Sequence, residues 1–312
     1  MENATSSEAV HEGLSHAPVR VVSARIKLRA RLHNLLQRRE LLRNLVVSDI
    51  RIKYKGSALG LLWSMLAPAF TLGIYYLVFS VFLKNGYPNY VIFLFSGLIV
   101  WNLFQNAVNS ATGVIVDRAG LVKKVSFPRE ILPLASVGSA VIYFLIQLGV
   151  LALFLVIFGH APNWTMLAIL PITFATLYLF ASAVAIVMSA ITVYLRDMKH
   201  LMEVLLQLWF WMSPVVYSYS NSLAPQIHRH GLTLLYFSNP MTLLVLTFQR
   251  AFYVQTDVHS LLAGHALLHM LPKWSATSFL YLNLGMFAVM CAVFLISLVI
   301  FGRLEGNFES EL

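Results

Sequence analysis

Residues 49–83 read DIRIKYKGSALGLLWSMLAPAFTLGIYYLVFSVFL, and within them a basic surface segment gives way to an apolar one. Arg51, Lys53 and Lys55 are the last charges before Gly56, and no charged side chain follows from Ser57 to Leu83. At a rise of about 1.5 Å per residue, such a run is long enough as a helix to cross roughly 30 Å of hydrocarbon. Charge therefore marks the near side of a bilayer, and the topology of the remaining chain can be counted from here.

The composition agrees. Of 312 residues, 59% are hydrophobic and 11% are charged, whereas soluble domains carry about 25% charged residues. This is the composition of an integral membrane protein. Cys291 is the single cysteine, so a disulfide within the chain and a cysteine-based metal cluster are both excluded. The net charge of +9 sits beside apolar windows, where anionic lipid and cytoplasmic orientation account for it. No nucleic-acid partner is expected.

Six apolar windows run from Leu59 to Leu83, Val91 to Val116, Ile131 to Phe158, Met166 to Val193, Leu201 to Tyr217 and Phe279 to Phe301. The expected fold class is an all-α membrane protein with six transmembrane helices. Placing both termini in the cytoplasm leaves only Lys84, Arg229, Arg250 and Lys273, of 22 Lys and Arg, on the outer side. That asymmetry is the one the positive-inside rule demands. Met1–Arg31 reads as a disordered basic tail; it lacks the apolar core of a signal peptide, so no cleavage is expected. Leu32–Gly56 has leucines at helical spacing among basic residues and reads as an amphipathic helix in the cytoplasmic interface. Ser57–Leu312 is the transmembrane domain. Within it, residues 218–278 contain two short apolar stretches broken at Asn239 and Pro240, which fit a re-entrant helical hairpin between spans 5 and 6 or a partly buried outer subdomain.

Catalytic chemistry finds little support. None of the 16 glycines precedes a lysine, so a Walker A phosphate loop is missing. No acidic residue lies mid-span, which removes the carboxylate relay of an ion-driven carrier. Asp257 is the lone carboxylate assigned to the outer face, so paired-carboxylate glycoside chemistry has no basis. His228, His230, His265 and His269 lie close in sequence but have no carboxylate or cysteine to complete a metal site. No metal site and no resident cofactor are expected.

Two surfaces remain for a substrate path. Asn102, Gln105, Asn106 and Asn109 follow the i, i+3, i+4, i+7 pattern and put four amides on one helical face; they either line an aqueous or sugar-occupied path or hydrogen-bond to neighbouring helices. Tyr75, Tyr76 and Phe79 in the first window, with Trp209, Trp211 and Tyr217 in the fifth, form a sugar-stacking surface or an interfacial aromatic belt. On the basic side, the loop DRAGLVKKVSFPREILP from Asp117 to Pro133 combines charges, two prolines and a short amphipathic stretch. It reads as a docking helix or a solvated loop.

Three matches in order carry a family resemblance: the basic run, GSALG and LW ahead of Pro68; the run Phe127, Pro128, Arg129, Glu130 with Pro133; and YLRDMKHL from Tyr194 to Leu201. The chain resembles the permease subunits of bacterial ABC-2 type exporters, in particular those for lipid-linked polysaccharides. The resemblance implies a homodimer in the inner membrane with two copies of a separate ATPase subunit, which would carry ATP and Mg. It also implies a polyprenyl-diphosphate-linked substrate such as O antigen, capsule, teichoic acid or galactan. On that view Arg51, Lys53, Lys55, Asp117, Arg118, Lys123, Lys124, Phe127, Arg129, Glu130, Arg196 and Asp197 couple to the ATPase, and the hairpin around Asn239 and Pro240 is an outer gate. Two alternatives stay open: an ABC-2 permease for a small drug or lipid, and a membrane glycosyltransferase or ligase.

Overall fold

The computed structural model describes residues 28–57, 60–82, 87–125, 127–220, 224–259 and 267–312. The tail before Leu28, Lys84 and His265 lie outside the described residues. Helix α1 (Leu28–Gln37) and helix α2 (Arg39–Tyr54) meet at a kink at Arg38. The helical segment thus begins ahead of Leu32, and Arg31 belongs to it instead of to the tail. Gly56, at φ +77, turns the chain out of α2 in a left-handed conformation that costs a residue without Cβ little.

The first apolar window folds in pieces. After a 3-10 turn at Gly60–Leu62 comes α3 (Trp63–Tyr76), which carries Pro68 in its interior and continues as a π-helix over Leu77–Phe82. Proline removes a backbone donor from the helix interior, and a π turn relaxes the register. Helix α4 (Tyr90–Thr112) is the hub, buried along most of its length and packed on α3, α7, α9, α10 and α13. The short helices α5 (Val114–Asp117) and α6 (Ala119–Lys124) follow at its end. Next come α7 (Ile131–Ile157), α8 (Trp164–Leu167), α9 (Leu170–Tyr194) and α10 (Met198–Trp211).

Beyond α10 the chain reaches the Tyr90 end of α4, where the Tyr90 hydroxyl donates to the Val216 carbonyl. Helices α11 (Ala224–Arg229) and α12 (Thr233–Ser238) then lead back to the level of Trp209. There Asn239 caps α13 (Pro240–Phe252) by accepting from Met241 N at 3.0 Å, and Pro240 opens the helix with its φ already set. Helix α13 returns to the Tyr90 end, where the Tyr253 hydroxyl donates to Pro88 O at 2.8 Å. Strands β1 (Asp257–His259) and β2 (Leu267–His269) form a small antiparallel ribbon there, an element the sequence reading does not anticipate. Helix α14 (Ala276–Leu304), a 3-10 turn at Glu305–Asn307 and α15 (Phe308–Glu311) complete the chain.

Among the described residues, four helices are long and apolar enough to cross a membrane: α4, α7, α9 and α14. With the other elements almost wholly helical, this is an all-α membrane-embedded architecture. The other two expected spans are built differently. The first is the proline-containing α3 with its π extension. The fifth is the 14-residue α10, which buries Met202, Leu206 and Phe210 on one face and exposes Val204, Leu205, Leu208 and Trp211 on the other. Hydropathy windows register apolar length and are blind to such local breaks.

Two apolar clusters hold the helices. The larger centres on α4; the smaller gathers Ile115, Val122, Leu132, Val193, Phe301 and Phe308 at the charged end. Close approach of α4 and α13 depends on Gly97, where a Cβ would lie 2.9 Å from Gln249 Nε2 and 3.2 Å from Val215 O. Asn283 of α14, fully buried, ties α9 to α13: it accepts from Thr173 Oγ1 at 3.0 Å and donates to Thr247 Oγ1 at 3.1 Å.

Candidate functional site

Helix α4 is covered on almost every side, so its uncovered residues are informative. They include Asn106, Asn109 and Ser110. Asn102 and Gln105 at the margin of this strip are half-buried and satisfied: Asn102 Nδ2 donates to Gln147 Oε1 of α7 at 3.1 Å, and Gln105 Oε1 accepts from Trp101 Nε1 at 3.0 Å. The stripe thus divides. One amide bonds to a neighbouring helix and one to its own helix, while Asn106 and Asn109 are open and have no hydrogen-bond partner among the described residues.

The aromatic candidates divide similarly. Tyr75 stacks on Phe210 at 5.7 Å, Phe210 meets Trp101 edge-on at 5.5 Å, and Trp101 bonds Gln105, so α3, α10 and the amide strip join in one run. Phe79 is half-buried against Tyr90. Tyr76 and Trp211 are 38% and 48% exposed, and Tyr217 donates its hydroxyl to Trp211 O at 3.2 Å. Trp209 faces inward instead. It packs against Phe104 and Phe180 and donates Nε1 to Asn239 Oδ1 at 2.9 Å, while Asn239 Nδ2 donates to Ser213 Oγ at 3.1 Å. Its indole therefore anchors the start of α13 to α10.

At the opposite end, Lys53, Asp117, Arg118, Arg129 and Glu130 have partners, each of them a residue outside the candidate set. Lys199 Nζ donates to Asp117 Oδ1 at 2.6 Å over Gly113, and Arg118 pairs with Asp49. Lys53 sits 4.6 Å from the centroid of Tyr143 on α7, and Val46 fits the notch at Gly138, so α2 lies along α7. Phe127 is packed on the smaller apolar cluster. Glu130 is 2% exposed and pairs with Arg31. Burial, then the nearby Glu305 carboxylate, push its pKa up, against the pull of Arg31 and Arg129. Arg129 faces Glu305. Glu130 is thus buried against Arg31 and not exposed as a surface contact.

Arg51, Lys55, Lys123, Lys124, Arg196 and Asp197 remain exposed. A cleft of about 460 Å³ opens between Arg196, Asp197, Met198 and Glu311. Four partners escaped the sequence reading: Arg31, Asp49, Lys199 and Glu305. Their pairings span 69 to 274 residues, a range at which spacing carries no signal. At the β1–β2 ribbon His269 Nδ1 lies 2.5 Å from Asp257 Oδ1, and Lys273 reaches the other oxygen at 2.8 Å. Among the described residues no three His, Cys, Asp or Glu side chains converge as a metal site would require.

Residues 40–253 match the family model described as ABC-2 type transporter. The chain belongs to that family. It is 32% identical over 249 residues to the O-antigen export system permease protein RfbA of Myxococcus xanthus, a match covering 79% of this chain and 94% of that relative. It is 28% identical over 204 residues to the O-antigen export system permease protein RfbA of Klebsiella pneumoniae, over 65% and 76% of the two chains. In this ABC-2 chain the matched segment runs from the start of α2 to the end of α13. It contains the α4 strip, α10 and the loop of Lys123 and Lys124, whereas Arg31 and Glu305 flank it on either side.

Proposed function

We propose that this chain is the non-catalytic transmembrane subunit of an ATP-driven exporter. On this reading it works in the bacterial inner membrane as a homodimer with two copies of a separate ATPase, and it moves lipid-linked polysaccharide out of the cytoplasm. The observation that carries the proposal is the likeness, over 94% of its length, to a relative named as an O-antigen export permease. The geometry adds support. Open amides on Asn106 and Asn109 of α4, with exposed Tyr76 and Trp211 on the neighbouring α3 and α10, offer exchangeable hydrogen bonds and ring faces without fixed charge, which suits a sliding polymer. The exposed apolar faces of α3 and α10 fit a second copy and lipid.

We read α3 with its π extension and α10 with residues 212–217 as the two remaining spans, giving six with both termini inside. Ion pairs gather α1, α2, the loop 117–130, Lys199 and Glu305 at one end, and we assign that end to the cytoplasm. The excursion from Val216 down to Asn239 and back to Tyr253 is then re-entrant from outside. Exposed Lys123 and Lys124 would face the ATPase.

The test is depletion of this chain followed by analysis of surface glycan, with affinity purification of the native complex. Loss of a surface polysaccharide, accumulation of its lipid-linked precursor and recovery of an ATPase are expected. Intact surface glycan in depleted cells would favour a permease for a small drug or lipid instead.

A further inference from the structure

We infer that Arg31 and Glu305 are positioning residues that lock the docking loop of this transporter to the inner end of α14, so that the two move as one body. The inference rests on the exporter reading for its consequence, though not for its geometry. Arg31 is 8% exposed. A guanidinium taken out of water needs its charge and donors met, and here Nη1 faces the buried Glu130 carboxylate while Nη2 donates to Glu305 Oε2 at 2.8 Å. Arg129 reaches the same Glu305, 4.0 Å from its carboxylate and 3.3 Å from its backbone carbonyl. Two cations and two anions leave the cluster neutral.

The fit is close. At Gly302 a Cβ would come within 2.7 Å of the Arg31 Cζ, so the guanidinium lies flat on α14 only because that position has no side chain. Phe308, fully buried, closes the cluster from below, edge-on to Phe301 and Tyr194, with the Arg129 guanidinium 5.9 Å from its ring centroid. An apolar cluster of equal volume would hold these ends at least as firmly. Paired charges with a planar fork add a fixed orientation. Glu130 stands at the head of α7, six residues after Lys124, so a push on the exposed lysines enters α7 and, through Arg31 and Glu305, enters α14 as well. Both clamping residues lie outside the segment matched by the family model.

The experiment uses the purified complex with its ATPase, reconstituted in lipid. Spin labels at Val125→Cys, an exposed position beside the docking lysines, and Arg303→Cys, with Cys291 replaced, report the distance between loop and helix. In the parent this distance stays narrow and unchanged with and without ATP, and in Arg31→Met and Gly302→Ala it broadens. Gly302→Ala keeps all four charges and only displaces the guanidinium; Gly285→Ala, on the same helix where a Cβ meets nothing within 4 Å, is the control. In cells, Arg31→Met and Gly302→Ala retain bound, hydrolysing ATPase, while export per ATP falls by about fivefold or more, within the range of measured coupling effects. Arg31→Lys, with one ammonium for two glutamates, falls between. A parent distance that shifts with ATP overturns the inference, as does unchanged export per ATP in both variants. Failure of both variants to accumulate would assign the cluster to folding alone and overturn it too. Absence of polysaccharide export by the parent would strike the exporter reading only, since the label distances stand independently of the substrate.

Discussion

Polar residues on α4 and polar residues at the charged end of the bundle receive opposite treatment. Asn106 and Asn109 lie uncovered on the most enclosed helix, whereas Arg31 and Glu130 are ionisable and buried, matched partner to partner. The difference follows from desolvation. A neutral amide loses little by exchanging one partner for another, but an unpaired charge out of water costs several kcal/mol. Uncharged polarity can therefore be left open for something that passes, and charge can be used only where its partner is built in.

The sharpest way to break this contrast is to remove one buried charge. Glu130→Ala leaves Arg31 half-answered, and we expect a loss of about 3 kcal/mol, seen as a lower denaturation midpoint of the complex in lipid nanodiscs. A stability unchanged within error would mean that water reaches the cluster, and the contrast would collapse.

Next in size is Gly97→Ala. The new Cβ would meet the Val215 backbone at 3.2 Å as well as the Gln249 amide, and a backbone cannot rotate away, so overpacking of about 1–3 kcal/mol is expected. Proteolysis at residues 212–217 should rise in this variant, because that segment is held by Gln249 and Tyr90. Asn283→Val should cost less, about 1 kcal/mol, the usual worth of interhelical hydrogen bonds in membranes. It would be read as a lower midpoint with assembly intact.

The contrast also explains how much the sequence tells. Apolar runs of 23 to 29 residues declare α4, α7, α9 and α14 outright, and the i, i+3, i+4, i+7 spacing of amides is a local fact of helix geometry. The break at Asn239 and Pro240 is equally local, and in the structure it becomes the capped start of α13. What spacing cannot convey is which side of each helix is covered. Asn102 and Asn106 are alike in sequence, yet the first bonds Gln147 and the second is open, because the first lies at the covered margin of the helix and the second does not. Trp209 and Trp211 differ for the same reason. Long-range pairs such as Arg31 with Glu305 belong to the fold and not to any window, so Arg129 and Glu130 read as surface contacts when one is half-covered and the other buried.

The smallest stability effect is the most discriminating. Asn106→Leu with Asn109→Leu removes the two open amides and no hydrogen bond among the described residues, so stability should stay within about 0.5 kcal/mol of the parent, as for other surface changes. Insertion and binding of the ATPase should be unaltered, while export of the glycan should fall several-fold if the strip touches the moving chain. Asn102→Leu should do the reverse: it leaves the buried Gln147 oxygen without its partner, costs about 1–3 kcal/mol, and affects export only in proportion to the protein that remains. The pair of variants separates packing from passage on one helix. If Asn106→Leu with Asn109→Leu destabilises as much as Asn102→Leu, a second copy of the chain covers those amides and the strip is an interface. If it leaves both stability and export at parent levels, the polymer runs elsewhere, and the exposed rings of Tyr76 and Trp211 become the next surface to change.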